Sequence, residues 1–381
     1  MSTILSISTS VPEFSANKED FLDFYAQALD PLDPATFLHK LNFLSLKTRI
    51  EKRYSCIPDF QGNNFELFRD KNIIPSVEER MDVYKQKIIP LATSAIDKVF
   101  TDSGLRPSDI THLVTVSCTG LTAPGIEFQL AEHYGLQHAE KIGLNFLGCY
   151  AAIKALKQAH YIAAAEPHSC VLIICAELCS LHFYPSDVDE DIVANLLFAD
   201  GASAAIVCGD KSEHVKGKVV LNLDDIGSAY VPGTFDLMTW DLTRSHFKMH
   251  LDKNIASVIK ESILPVVTDF LKGHVPEIDF WAIHPGGVKI VEAVKNRLNL
   301  SDENVEDSMN VLKDFGNMSS PTILFILKNI FDKIKESDEQ ESKKIFTCAF
   351  GPGINIEMLR LSSMDTTVLN NPIVTDHAFE V

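Results

Sequence analysis

The most restrictive stretch of the chain is Cys-Val-Leu-Ile-Ile-Cys-Ala at residues 170–176. It is apolar without alternation, as expected of a strand covered on both faces. A sheet built from such strands needs helices on either side. The surrounding sequence supplies them. Residues 112–117, 143–147, 203–208, 218–223 and 280–284 read as further strands. Helical spacing appears over 18–46, 126–134, 253–271 and 319–334, and Ser76-Val-Glu-Glu79 is a capping-box signature opening a helix to about residue 100. Residues 199–202 read as a turn. Residues 344–350 and 354–361 form a hairpin around Gly351-Pro352-Gly353. Helices alternating with buried strands indicate an α/β fold with largely parallel sheets. Two halves of similar order meet near residues 209–217. The expected division is 1–212, 213–361 and a tail over 362–381.

Composition narrows the function classes. Of the 381 residues 46% are hydrophobic and 23% charged, which describes a well-cored globular protein. A net charge of −18 argues against nucleic acid and against an anionic membrane surface. The N-terminus has no basic segment ahead of an apolar core and reads as a first strand; no run reaches membrane-spanning length. The eight cysteines form no regular framework, which suits free thiols in a reducing cytoplasm. Cys170, Cys175 and Cys179 have a spacing that invites a metal. Alternation along a strand sends 170 and 175 to opposite faces, so no metal site is expected.

Three residues carry candidate chemistry. In residues 141–157 an apolar run ends at Gly148, Cys149 follows, and Ala152, Ala155, Leu156, Ala159 and Ala163 recur at helical spacing. This reads as strand, tight turn, cysteine, helix. A thiol there meets the positive end of a helix dipole, which favours thiolate. The alternative is a small buried cysteine at a helix start. His284 closes the strand Phe-Trp-Ala-Ile-His and precedes Pro285-Gly286-Gly287, where backbone can approach a ligand. Asn317 lies in Phe315-Gly-Asn-Met-Ser-Ser320, as a catalytic amide or a helix cap. Together they make chemical sense. An imidazole activates a thiol, and an imidazole N–H with an amide holds a developing enolate or oxyanion. No carboxylate stands beside the cysteine, which fits a carbanion generated by decarboxylation. The basic cluster Lys40, Lys47, Arg49, Lys52 and Arg53 is a dock for an anionic substrate or a solvated helix face.

Gly148-Cys149-Tyr-Ala-Ala, Trp281-Ala-Ile-His284-Pro-Gly-Gly, Phe315-Gly-Asn317-Met-Ser-Ser and Ala349-Phe-Gly-Pro-Gly353 resemble the motifs of the type III polyketide synthases, the chalcone synthase-like family. The resemblance spans about residues 1–361. It implies a thiolase fold, an αβαβα layered sandwich of two duplicated halves, and a homodimer. It implies that Cys149 carries the acyl chain as a thioester. His284 and Asn317 would bind malonyl-CoA and the enolate, with His284 also keeping Cys149 ionised. Phe198 and Phe247 match the gatekeepers between the CoA tunnel and the cavity. Cys118, His182, Met238 and Ser319 match cavity positions; the first three depart from the plant residues, threonine, threonine and glycine. Lys40 and Lys47 match contacts to CoA phosphates, with Gly286 and Gly287 beside them, while Phe43 stands where the family has an arginine. That exchange leaves room for an acyl-carrier protein as carrier. No cofactor is implied beyond CoA thioesters as substrates. The expected reaction is iterative decarboxylative condensation of malonyl-CoA onto a starter, ending in a cyclised aromatic or pyrone. The rivals are an initiating ketoacyl-carrier-protein synthase, which condenses once, and a non-catalytic paralogue acting as a dimer partner.

Overall fold

A computed structural model describes residues 2–69, 73–337 and 341–367. The first half runs β1 (Ser2–Ser10), β2 (Phe14–Asn17), α1 (Lys18–Leu29), α2 (Pro34–Thr48), β3 (Lys52–Ser55), α3 (Val77–Ser103), β4 (His112–Ser117), α4 (Ile126–Tyr134), β5 (Glu140–Asn145), α5 (Ala151–Ala165), β6 (Cys170–Leu178), α6 (Asp189–Leu197) and β7 (Asp200–Gly209). The second runs β8 (Val219–Tyr230), β9 (Met238–Leu242), β10 (Phe247–Leu251), α7 (Ile255–Phe270), β11 (Phe280–Ile283), α8 (Val288–Leu298), α9 (Glu306–Phe315), α10 (Thr322–Glu336), β12 (Lys344–Gly351) and β13 (Asn355–Asp365).

Strand pairing exposes the duplication. In the first half β1 is antiparallel to β7 and β7 to β6, while β6, β4 and β5 run parallel. In the second, β8 is antiparallel to β13 and β13 to β12, while β12 and β11 run parallel. The sheets are therefore mixed, not largely parallel. One reason is local: the short turn between β12 and β13 can return the chain only antiparallel. A brief β1/β8 ladder, Thr3 opposite Asn222 and Ile4 opposite Leu221, joins the halves into one nine-stranded hydrogen-bonded sheet.

The layers follow from which face each strand residue uses. On β6, Cys170, Leu172, Ile174 and Ala176 pack with α1 and α3, while Val171, Ile173 and Cys175 pack with α5 and α10. The second half repeats this: Ala282, Ile345, Leu359 and Leu361 join α5 and α10, and Trp281, Ile283, Phe346 and Met358 face α7 and α8. The result is helix, sheet, helix, sheet, helix. The strand at 170–178 is buried on both faces, and Cys170 and Cys175 point into different layers. Among the described residues no His, Cys, Asp and Glu group has metal-binding geometry.

The central helices are built for that place. α5 is alanine-rich where two sheets converge, and α10 is buried along Thr322–Leu327. A buried ion pair fastens α5 to the second half. Lys157, 5% exposed, meets fully buried Glu357, which also takes Lys154 Nζ at 2.6 Å and Asn355 Nδ2 at 2.5 Å. Burial works to raise the Glu357 carboxyl, but these cations and the Ser228 hydroxyl hold it below the ordinary range.

Several sequence boundaries shift. The helix expected over 18–46 breaks at Asp30, where φ is +50°, and restarts at Pro34. The turn expected at 199–202 is the start of β7, because Asp200 is fully buried and hydrogen-bonded to Cys56 N–H and Ser180. The hairpin β9/β10 and helices α6 and α9 were not legible. The tail boundary at 361/362 cuts β13, whose ladder with β8 continues to Asp365; residues 368–381 lie outside the described residues. Replacing Lys157 by Met is expected to cost about 3 kcal/mol in urea unfolding, because it strips a cation from a buried carboxylate. An unchanged midpoint would show that Lys154 alone suffices.

Candidate active site

The cysteine turn is set by backbone. After β5 the chain takes φ +60° at Phe146 and +83° at Gly148, then enters α5. Gly148 must be glycine for a second reason: a Cβ there would stand 2.7 Å from Pro352 Cδ. A Cβ on Gly351 would stand 2.4 Å from the Tyr150 ring. The β12–β13 turn therefore lies directly on the elbow, and two glycine motifs 200 residues apart are halves of one contact. From the other side the Gly148 N–H donates to Cys118 Sγ at 3.1 Å.

Asn317 enters the same space from the start of α10. Its main chain pairs with the end of α6: Asn317 N–H donates to Leu197 O at 3.0 Å, and Ala199 N–H to Asn317 O at 2.9 Å. Its Oδ1 accepts the Ser319 N–H at 2.8 Å, which turns Nδ2 toward Cys149 Sγ at 3.9 Å. Gly316, φ +72°, allows this crossing; a Cβ there would meet Ala199 Cβ at 3.1 Å.

His284 follows β11, and its N–H extends the parallel ladder to Cys348 O at 2.9 Å. The ring is fully buried, and neither nitrogen has a hydrogen-bond partner among the described residues. The loop after it returns to α6: Gly287, φ +149°, faces Leu197. A Cβ on Gly286 would meet Ile290 Cγ1 at 3.7 Å and His284 Cδ2 at 3.9 Å, ordinary contacts.

Electrostatics here favour neutral groups. Burial pushes the Cys149 thiol up to about 11, opposed by Ser319 and Asn317 and reinforced by the charge of Glu177. Burial pushes the His284 ring down to about 3. Burial thus works against the imidazolium–thiolate pair that the resemblance implies, by favouring the neutral form of each group. Glu177, unnoticed in the sequence because it sits near the end of an apolar run, is the buried acid beneath the site. It accepts from Cys118 N–H and Thr119 Oγ1, both at 2.8 Å, and from Ser320 Oγ at 2.6 Å, and burial raises it to about 7.

A half-open cleft lies next to Asn317's neighbour Phe198, lined by Phe198, Phe247, His182, Trp240, His246 and Tyr184 among others; Cys149, His284 and Asn317 do not line it. Both gatekeeper candidates are there. His182 is a wall: its Nδ1 accepts the Phe247 N–H at 3.1 Å, so Nε2–H donates to Thr119 O at 2.7 Å, and the ring stacks on Phe247 at 4.3 Å. Trp240, missed in the sequence, closes the same wall with Nε1–H on Cys118 O at 2.8 Å. Cys118 and Met238 do not line this cleft. Cys118 holds the elbow, and Met238, at the start of β9, packs against the outer core of the second half.

The basic cluster is not one patch. Arg53 is 2% exposed, Lys40 is held by Asp187 O and Asp189, Arg49 pairs with Glu292, and Lys52 lies over Tyr54. Lys47 Nζ rests 3.8 Å above the exposed Phe43 ring.

Known proteins share this layout. Residues 1–211 match the N-terminal domain of the chalcone and stilbene synthases, and residues 223–365 match their C-terminal domain. The chain belongs to this family, the type III polyketide synthases. It is 30% identical over 364 residues to the alpha-pyrone synthesis polyketide synthase-like Pks18 of Mycobacterium tuberculosis, covering 94% of this chain and 90% of that one. It is 28% identical to type III polyketide synthase A of Arabidopsis thaliana, covering 96% and 93%. Among solved structures, PKS-I of the brown alga Ectocarpus siliculosus superposes with TM-score 0.86 at 29% identity, covering 95% and 98%. CsyB complexed with CoA-SH superposes with TM-score 0.87 at 25% identity, covering 96% and 100%. The thiolase fold is thereby established, and with it an acyltransferase of a family that acts on CoA thioesters without a further cofactor.

The raised thiol sets a pH dependence for this polyketide synthase. Because the thiol is raised, its thiolate fraction keeps growing above neutrality. Iodoacetamide modification of Cys149, followed by peptide mass, should rise about tenfold per pH unit from 7 to 9. A rate already flat at pH 7 would restore the ion pair.

Proposed function

We propose that this enzyme extends an acyl starter on Cys149 by repeated decarboxylative condensation with malonyl-CoA and releases a cyclised aromatic or pyrone. The observation that carries it is the His284 ring, wholly buried with both nitrogens unpartnered, in a site where the Asn317 amide is turned toward Cys149 Sγ. Burying an unpartnered ring costs free energy, so these atoms are reserved for a ligand.

Each step uses those groups. Cys149 Sγ attacks the starter carbonyl; the new C–S bond replaces the one to CoA, and the thiol proton passes through His284 to the CoA sulfur. Malonyl-CoA then loses carbon dioxide, and the electron pair of the broken C–C bond stays as an enolate. The His284 N–H and Asn317 Nδ2–H hold its oxygen. The enolate carbon attacks the Cys149 thioester, forming a C–C bond and freeing the sulfur for reloading. Ser319 supports the amide through its backbone. Phe198 and Phe247, which line the cleft, are the gate that the resemblance places between the CoA tunnel and the cavity, and His182 with Trp240 limits the chain that fits. Alpha-pyrone synthesis in the name of a relative supports a pyrone as product.

Lys40, Lys47, Gly286 and Gly287 are our candidates for the CoA dock, supported by the CoA-SH complex of CsyB. The engagement of Lys40 and exposure of Phe43 favour a second reading, starter delivery by an acyl-carrier protein, as an initiating synthase uses. A homodimer is supported by β5, which ends the sheet with one edge unpaired, near exposed Leu121 and Phe128. No helix among the described residues is long and apolar enough to cross a membrane. A reducing cytoplasm suits the catalytic thiol. We retain the division near residue 212 between a cysteine half and a His/Asn half.

The test is incubation with malonyl-CoA and acyl-CoA or acyl-carrier-protein starters, with products identified by mass. Products from two or more extensions are expected. Cys149→Ala should abolish the acyl-enzyme and every extended product, and Asn317→Ala should stop carbon dioxide release. A single extension from a carrier-protein starter alone would establish the initiating synthase instead.

A further inference from the structure

Arg53 lies on β3, 2% exposed, and among the described residues no carboxylate pairs with it. Burial lowers its pKa to about 9, so it remains charged at neutral pH. A buried cation without a counter-ion needs compensation. Arg53 finds it at the C-terminal end of α6. Nη1 donates to Asn195 O at 3.1 Å and more weakly to Phe198 O at 3.4 Å, and Nη2 donates to Leu196 O at 2.8 Å. The guanidinium carbon also stands 4.0 Å from the centre of the Phe21 ring.

A helix leaves its last four carbonyls without intrahelical partners, and they carry the negative end of its dipole. In α6 all four are accounted for. Ala194 O takes the Phe198 N–H at 3.3 Å, Arg53 takes Asn195 O and Leu196 O, and Leu197 O takes the Asn317 N–H at 3.0 Å. Arg53 and Asn317 therefore complete the same helix terminus. The residue between them, Phe198, is bridged to Asn317 as an isolated parallel pair.

We propose that Arg53 is a positioning residue for condensation: its cap on α6 holds residues 197–198 as the template on which the Asn317 amide and the Phe198 gate are set. This rests on the role given to Asn317 above. Cys149 is placed by other elements, the Gly148 turn and the β12–β13 hairpin. Loss of the cap is therefore felt at decarboxylation and much less at acyl loading.

The experiment measures both partial reactions in the full chain: acylation of Cys149 by a starter acyl-CoA, read by intact mass, and carbon dioxide release from malonyl-CoA. Arg53→Met keeps an unbranched apolar side chain of similar reach and removes the donors. Carbon dioxide release should fall on the order of tenfold to a hundredfold in kcat, as displacement of a reacting group by a fraction of an ångström predicts. Loading should stay within about twofold. Millimolar guanidinium should restore part of the lost rate by refilling the cap. If Arg53→Met does not fold, Arg53→Lys, which keeps the charge but not the forked geometry that reaches three carbonyls, is read by the same ratio. Equal losses in both reactions, or none, overturn the proposal. Asn317→Ala is run in parallel. If it leaves carbon dioxide release intact, the role of Asn317 has failed and the proposal falls with it. If it stops release while the Arg53 variants do not, only the proposal on Arg53 fails.

Discussion

Two helices must fill the space between two sheets, and the site depends on that constraint. α5 and α10 occupy equivalent places in the duplicated halves and share one apolar cluster with strands from both. Cys149 comes just before α5, and Asn317 just before α10. Helices confined to one layer bring their N-terminal ends together, so residues 168 apart in sequence face each other at 3.9 Å. The small residues of α5 permit the approach, and the Lys157–Glu357 pair holds α5 against the second half.

Close burial determines the chemistry as much as the proximity does. The turn of the β12–β13 hairpin presses on Gly148 hard enough that neither Gly148 nor Gly351 can carry a Cβ without displacing its neighbour. Packing of this kind excludes water from the thiol and the imidazole. Desolvation then pushes both toward their neutral forms. The same desolvation leaves His284 with two unpartnered nitrogens, and an enolate or thioester oxygen gains more from such a donor than it would in water.

Buried polar groups organise the surroundings in the same way. Glu177, Asp200 and Arg53 each collect backbone or hydroxyl partners from segments distant in sequence, and each pins a loop that reaches the site. Arg53 does so at the end of α6, where the helix dipole supplies the compensation a carboxylate would otherwise provide. His182 and Trp240 spend their ring N–H groups on the carbonyls of Thr119 and Cys118, so the cleft wall is built from side chains bound to main chain.

Much of this was legible in the sequence. The unbroken apolar run at 170–176 required a strand covered on both faces, and the glycines at 148, 286 and 287 marked where backbone would turn or approach. Those are local requirements of period and φ, which a sequence expresses directly. The motifs around Cys149, His284 and Asn317 pointed to the family. Tertiary structure decided what depends on distant partners. It buried Arg53, which by spacing belonged to a surface cluster, and aimed Met238 out of the cleft while adding Trp240 to it. It made Asp200 the start of a strand. It shifted Cys149 and His284 toward their neutral forms, because desolvation arises from everything packed around a group and has no counterpart in its neighbours along the chain.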